Sequence, residues 1–240
     1  MGISDFEGLT FVAFIDICGF KQMMKDEERV KKAVYKFYQS GYRTLKEHKD
    51  RKDNAKPQIQ GIFVSNCGIL YVIRSHSETN EDIERKRNSL NQILKVIKKI
   101  NKEMIINDVM LKTSIAYGKL NCSKKLEFKG ISKSAIYGDA YLNAFLDNEK
   151  AQIRLRPGEC RIIQKDLPDN LITTVSKQSY ENFRLLKQRG DYIRYHYFYW
   201  MLDKRSRIEE FTSKYRNLET DIYKKMTKLI KNYSINSNQK

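Results

Sequence analysis

Residues 10–21 read TFVAFIDICGFK. The run from Thr10 to Ile17 is almost wholly apolar and carries Val, Ile and Phe, the composition of a β-strand buried on both faces. One acidic residue, Asp16, stands at its end, just before the chain breaks at Gly19. A carboxylate in such a place is costly to bury unless it is paired, hydrogen-bonded or bound to a metal, so Asp16 is the first candidate site residue. For a lone Asp-x-x-Gly the ordinary alternative is a helix cap. Gly19 permits a close turn, so the amides of Ile17, Cys18, Gly19 and Phe20 could face a phosphate where the next helix starts.

Working outward, Val30, Val34, Phe37, Gly41 and Leu45 recur every three or four residues and predict a helix from Glu28 to about Lys49, one face of which packs on a sheet. A charged loop, His48 to Pro57, follows. Gln58 to Val64 and Gly68 to Arg74 then read as a β-hairpin around Ser65-Asn66-Cys67. Beyond the polar stretch Ser75 to Asp82, Leu90, Ile93, Leu94, Ile97 and Ile100 mark a second amphipathic helix. Val109 to Tyr117 is a strand closed by Gly118. A shorter helix runs from Gly138 to about Ala151, with Asp139 at the end where the helix dipole favours an anion. Pro157-Gly158 breaks the chain before a strand at Cys160 to Ile163. Tyr180 to Lys187 reads as helical, and after a turn at Gly190 the aromatic run Tyr192 to Leu202 reads as a strand with rings on both faces.

From Ile208 the positions Phe211, Tyr215, Leu218, Ile222, Met226, Leu229 and Tyr233 advance by threes and fours, as in a terminal helix packed on its own domain or a coiled-coil contact. The tail after Tyr233 is expected to fray. The boundaries are a domain over 1–203 and a helical extension with its tail over 204–240.

Composition narrows the function classes. The chain has 240 residues, enough for one compact domain with a core. Its 46 Lys+Arg against 29 Asp+Glu leave a formal net charge of +17, which favours polyanionic partners without choosing among them. No zinc-finger, helix-turn-helix or RNA-recognition signature accompanies that charge, so a nucleic-acid partner is not expected. Cys18, Cys67, Cys122 and Cys160 show no paired spacing and sit in or beside apolar runs, which suits free thiols in a reducing cytoplasm. The opening MGISDFEGLT lacks the order of a signal peptide, Phe6 stands where myristoylation calls for a hydroxyl, and no run approaches a membrane span. His48, His76 and His196 share no metal-ligand spacing.

The hairpin tip follows Asp16 at the distance expected if the first three strands lie side by side. Two strand-end oxygen ligands could then share a hard cation, Mg²⁺ or Mn²⁺. A pair of such ions would activate a hydroxyl while neutralising phosphate charge.

Four blocks, FIDICGFK at 14–21, FVSN at 63–66, SIAYGKL at 114–120 and IYGDAYLNAF at 136–145, stand in one order. In that order the chain resembles the class III nucleotide cyclases, and within them the pyrimidine cyclases of the Pycsar antiphage system. The resemblance spans roughly residues 10–200. It implies an α+β, ferredoxin-like central antiparallel sheet flanked by helices, with a C-terminal helical extension. It further implies Mn²⁺ or Mg²⁺ held by Asp16, the Ile17 backbone carbonyl and Asn66, the last standing where the family normally has its second metal aspartate. Loss of that charge weakens the expected metal affinity. The family's purine-reading Lys and Asp fall at Ile62 and Ala135, so a pyrimidine is the implied substrate, UTP slightly ahead of CTP. The ribose-orienting Asn and transition-state Arg fall at Leu142 and Leu146, with Asn143 one residue off. Arg194 lies roughly where relatives place a phosphate-binding Lys, and a surface Arg is the alternative. A cytoplasmic homodimer, whose cyclic nucleotide acts on a separate effector, completes the expectation; a cyclase fold that binds without catalysing is the alternative that Asn66 raises.

Overall fold

The computed structural model describes residues 5–50, 57–73, 83–123, 135–189, 192–203, 215 and 217–235. Strand β1 (Phe6–Ile17) is followed by a one-turn helix α1 (Phe20–Met23) and a long helix α2 (Glu27–Asp50). The hairpin β2 (Gln58–Val64) and β3 (Cys67–Ile73) leads to helix α3 (Ile83–Ile106) and strand β4 (Leu111–Ser123). These elements form a βαββαβ unit with strand order β2-β3-β1-β4, every pair antiparallel. That is the ferredoxin-like arrangement, so the α+β class with a central sheet is what the chain adopts.

The sheet then grows beyond this unit. β5 (Ala135–Tyr137) pairs with the end of β4, and helix α4 (Asp139–Lys150) returns along the sheet. β6 (Cys160–Ile163) joins β4 in parallel, a departure from the antiparallel pairing of the central unit. The departure has a simple cause, since α4 forms the crossover that a parallel connection requires. After α5 (Thr174–Ser179), β7 (Leu186–Arg189) and β8 (Tyr192–Phe198) complete the sheet in the order β6-β8-β7. The last helix, α6, spans Thr220–Ile235.

Alternation along β1 divides the molecule into two layers. Phe11, Ala13, Ile15 and Ile17 face α2 and α3 in the larger core, while Val12 and Phe14 face α4 with Ala116, Ala140 and Ala144. Both sets are buried, so β1 is covered on each side as its continuous apolar run predicts. Ile222, Met226, Leu229 and Ile230 of α6 join the larger core, so the described part of the terminal seam packs into this chain's own core. The first part of that seam, including Phe211, lies outside the described residues.

Three expectations change. Gly118 does not close its strand; β4 continues to Ser123, with Gly118 opposite Thr10. A Cβ on Gly118 would stand 3.2 Å from the Ala140 amide, so the glycine serves the close approach of α4. Tyr180 to Lys187 is not one helix but a short 3-10 turn, Glu181–Leu185, running into β7, because Leu186 and Lys187 pair with Phe198 and Tyr197. The aromatic strand accordingly ends at Phe198 rather than Leu202. All four cysteines are free; Cys122 and Cys160 are buried, Cys18 and Cys67 partly so.

Candidate metal and nucleotide site

Asp16 and Asn66 are brought together by strand pairing. β1 and β3 run antiparallel with Asp16 opposite Cys67, which sets the two-residue turn Ser65-Asn66 beside the end of β1. Ser65 holds a left-handed backbone, φ 53°, a conformation that costs an L-residue about 1 kcal/mol and is tolerated in a tight hairpin. The Asn66 side-chain amide donates to Asp16 Oδ1, and the Ile17 N–H donates to the Asn66 carbonyl at 3.1 Å. In an extended strand the carbonyl of a residue points the same way as its N–H. The Ile17 carbonyl therefore faces the same turn, so Asp16, Ile17 and Asn66 converge on one corner.

Two further donors reach Asp16. The Cys67 thiol lies 3.5 Å from Oδ1, and the Lys112 ammonium lies 3.2 Å from Oδ2. Lys112 is the cross-strand neighbour of Asp16 on β4. It also contacts Glu149 Oε1 at 2.9 Å and the Asn148 carbonyl at 3.3 Å, both at the end of α4. Asn148 fastens that end to the sheet, its side-chain amide donating at 3.4 Å to the Phe14 and Lys112 carbonyls.

Burial lifts the Asp16 carboxyl above the ordinary Asp value, against the opposing pull of the Lys112 charge and of hydrogen bonds from Lys112 and Cys67. For Lys112, burial works against the charge, but the Glu149 hydrogen bond and the Asp16 charge outweigh it and the ammonium is held above its usual value. Burial and the Asp16 charge push both Cys18 and Cys67 up to about 12, so each is a neutral thiol at pH 7 rather than a thiolate ligand.

Of the four turn amides, two are engaged inside the fold: Ile17 with Asn66, and Cys18 with the Met110 carbonyl at 2.9 Å. The expectation that all four face a phosphate is corrected accordingly, because Ile17 still belongs to β1 and Cys18 makes one further bond toward the chain entering β4. Gly19 adopts a left-handed φ of 72°, and α1 starts directly after it. The amides of Gly19 and Phe20 have no backbone acceptor among the described residues.

Ile62 of β2 pairs with Ile69 and packs in the Val12 and Phe14 layer, hence on the Asp16 face. Arg194 is not brought to the corner. Its strand neighbour Tyr195 stacks on Arg161, which lies opposite Ser114, which in turn lies opposite Phe14, all on the Asp16 face. Alternation puts the exposed Arg194 on the other face of the sheet. Ala135 belongs to β5, Leu142 and Leu146 are exposed on α4, and Asn143 donates to Asp166 at 3.1 Å.

Sequence reasoning missed Lys112, Glu149 and Asn148. It also missed Arg161, fully buried on the Asp16 face and held by Asp147 through contacts of 2.9 and 2.8 Å, and the buried Ser114 beside them. No local signal marked Lys112, whose place beside Asp16 comes from the register of β1 with β4.

The donor set defines what can bind. Among the described residues no three His, Cys, Asp or Glu side chains cluster as for a metal. One carboxylate, one backbone carbonyl and the Asn66 carbonyl, presented by a half-turn of its amide, fit one hard cation rather than a carboxylate-bridged pair. His48 contacts the Pro57 carbonyl at 3.1 Å, His196 is buried in β8, and His76 lies outside the described residues.

The architecture, then, is a ferredoxin-like sheet with an acidic corner at the tip of its first strand. Among solved structures, the guanylyl cyclase Cya2 is 11% identical, with a TM-score of 0.46 over 81% of this chain and 92% of its own. The adenylyl cyclase CyaB from P. aeruginosa is 12% identical, with a TM-score of 0.47 over 82% and 95%. The catalytic core of a rhodopsin-guanylyl cyclase with converted specificity, in complex with ATPalphaS, is 11% identical, with a TM-score of 0.45 over 81% and 96%. No protein-family profile matches the chain, and no curated protein matches it. Among the described residues no helix is long and apolar enough to cross a membrane.

Proposed function

We propose that this chain is a pyrimidine nucleotide cyclase, converting UTP or CTP to the 3′,5′-cyclic monophosphate and pyrophosphate. The observation that carries this reading is the hydrogen bond between Asn66 and Asp16, which gathers the tips of two non-consecutive strands into one oxygen-rich corner. The four ordered sequence blocks that resemble the Pycsar cyclases support it. In the reaction the ribose 3′-oxygen attacks its own α-phosphorus as the bond to the β-phosphate oxygen breaks. The hydroxyl proton passes to solvent and pyrophosphate leaves.

Asp16, the Ile17 carbonyl and Asn66 would hold Mn²⁺ or Mg²⁺. When bound, the ion supplies Lewis-acid polarisation of the 3′-hydroxyl and the phosphate oxygens. The chain's own part is positioning: Gly19 and Phe20 offer amides toward the phosphates, and Ile62 offers an apolar side chain where a purine-reading cation would otherwise stand. In this proposal two chains complete the active site as a homodimer in the cytoplasm, and the product signals to a separate effector in antiphage defence.

A second reading, a nucleotide-binding protein without turnover, is favoured by one observation: both Asp16 oxygens already accept from internal donors. Incubating purified protein with each of the four NTPs and Mn²⁺ separates the two. Cyclic UMP or cyclic CMP, increased in Asn66→Asp by about tenfold as the site gains a charge, is the expected result. No product from any NTP with either protein would leave the second reading.

A further inference from the structure

Lys112 occupies the corner in a way the cyclase reading does not use. Its ammonium touches Asp16, Glu149 and the Asn148 carbonyl at 3.2, 2.9 and 3.3 Å, so all three N–H donors have partners. Those partners divide into two groups. Asp16 belongs to the tip of β1, inside the proposed site; Glu149 and Asn148 belong to the end of α4, outside it. Both oxygens of the Asp16 carboxylate are engaged, since Oδ1 takes the Asn66 amide and the Cys67 thiol while Oδ2 takes Lys112.

We propose that Lys112 is a built-in competitor for the divalent cation, giving up Asp16 and remaining on Glu149 when the ion binds. The inference rests on the cyclase reading, and it concerns what sets metal occupancy at that site. An ammonium and a divalent cation cannot share one carboxylate without strong repulsion in a partly buried corner. Lys112 need not leave for solvent to make room. It gives up one of three contacts and keeps the carboxylate and carbonyl at the end of α4, which the Asn148 amide pins to the sheet. Glu149 is thus the resting place that makes displacement affordable, and Lys112 sets the cation concentration at which the site fills. In the absence of a second metal aspartate, the same ammonium neutralises Asp16 and keeps the corner from carrying an uncompensated buried charge.

The test is a titration of the purified, nucleotide-free protein with Mn²⁺, read by the loss of the free-ion electron paramagnetic resonance signal. Lys112→Met, which keeps the length and the apolar stem, is expected to bind Mn²⁺ at least about tenfold more tightly than wild type. Lys112→Gln serves as the second variant, with thermal melts confirming that each is folded. Glu149→Gln should weaken binding several-fold, because the displaced ammonium loses its anionic partner. In the Lys112→Met background the Glu149→Gln change should have no effect, since Glu149 acts only through Lys112.

Wild type and both Lys112 variants binding Mn²⁺ equally would overturn the competition while leaving the metal site intact. A Glu149→Gln loss that persists in the Lys112→Met background would overturn it too, by showing that Glu149 touches the ion itself. Failure of every variant to bind Mn²⁺, Asn66→Asp included, would instead remove the metal site and the cyclase reading with it.

Discussion

Asp16 accepts from three donors of unequal charge, and that inequality decides what its replacement does. Burial raises its carboxyl above the ordinary value, so the folded chain holds the proton more tightly than the unfolded chain. For such a group the linkage runs in one direction: the native state is favoured at low pH, and stability falls as pH rises from the unfolded value through the folded one. At neutral pH the charged Asp16 is therefore a net cost to the fold, despite Lys112. Asp16→Asn keeps an acceptor for Asn66 and leaves Lys112 with Glu149 at 2.9 Å. Its expected melting temperature at pH 7 is at or above that of wild type, while Mn²⁺ binding and nucleotide turnover are lost. A melting temperature several degrees lower would mean that Asp16 is held for structure rather than for a cation.

The seating of α4 governs the corner at the scale of elements, and Gly138 governs that seating. Gly138 has φ 133°, outside the range that side-chain-bearing residues adopt, and a Cβ there would lie 2.4 Å from the Lys119 carbonyl oxygen. Gly138→Ala should cost about 2–4 kcal/mol, measured as a lower urea midpoint, because both the backbone conformation and the contact are with main chain that cannot step aside. Gly118→Ala, whose Cβ would meet the Ala140 amide at 3.2 Å, should cost less. These glycines also mark what the sequence disclosed. The apolar run of β1, the hairpin turn and the periods of α2 and α3 are local patterns and were legible as such, the hairpin and α2 at nearly their true bounds, whereas β1 starts earlier, at Phe6, and α3 runs beyond its marked positions to Ile83 and Ile106. The meeting of Asp16 with the hairpin tip was legible only on the condition that the first three strands lie side by side, since a hairpin alone does not fix which strand it pairs with. Lys112 was not legible, since its place opposite Asp16 depends on the register of β1 with β4 across a long sequence separation. Glu149 and Asn148 reach the corner only once α4 has crossed over the sheet. Leu186 and Lys187 looked helical for a related reason: their strand character comes from pairing with β8 and not from their own spacing.

For the molecule as a whole, acid tolerance turns on a histidine that has no part in the proposed chemistry. His196 lies in β8 opposite Ile162, is 8% exposed, and its Nδ1 has no hydrogen-bond partner among the described residues. Burial, with a smaller contribution from the Lys177 charge, holds its imidazolium down to about 4 from an ordinary 6.5. Because the folded value is depressed, the unfolded chain binds the extra proton first as pH falls, and stability is lost progressively from pH 6.5 to 4. Over that window the loss should reach about 3 kcal/mol, a large share of the marginal stability of a domain of this size. Asp16 works in the opposite sense, so the histidine's part is isolated by comparison with His196→Gln, which removes the titration and retains a polar amide. Urea denaturation at pH 7 and at pH 4.5 should give curves that lie close together for the variant and well apart for wild type. Equal separation for the two proteins would show that the imidazole charges in place without penalty, which would require an acceptor or a water at Nδ1 and a looser packing of β6 against β8 than their paired backbones indicate.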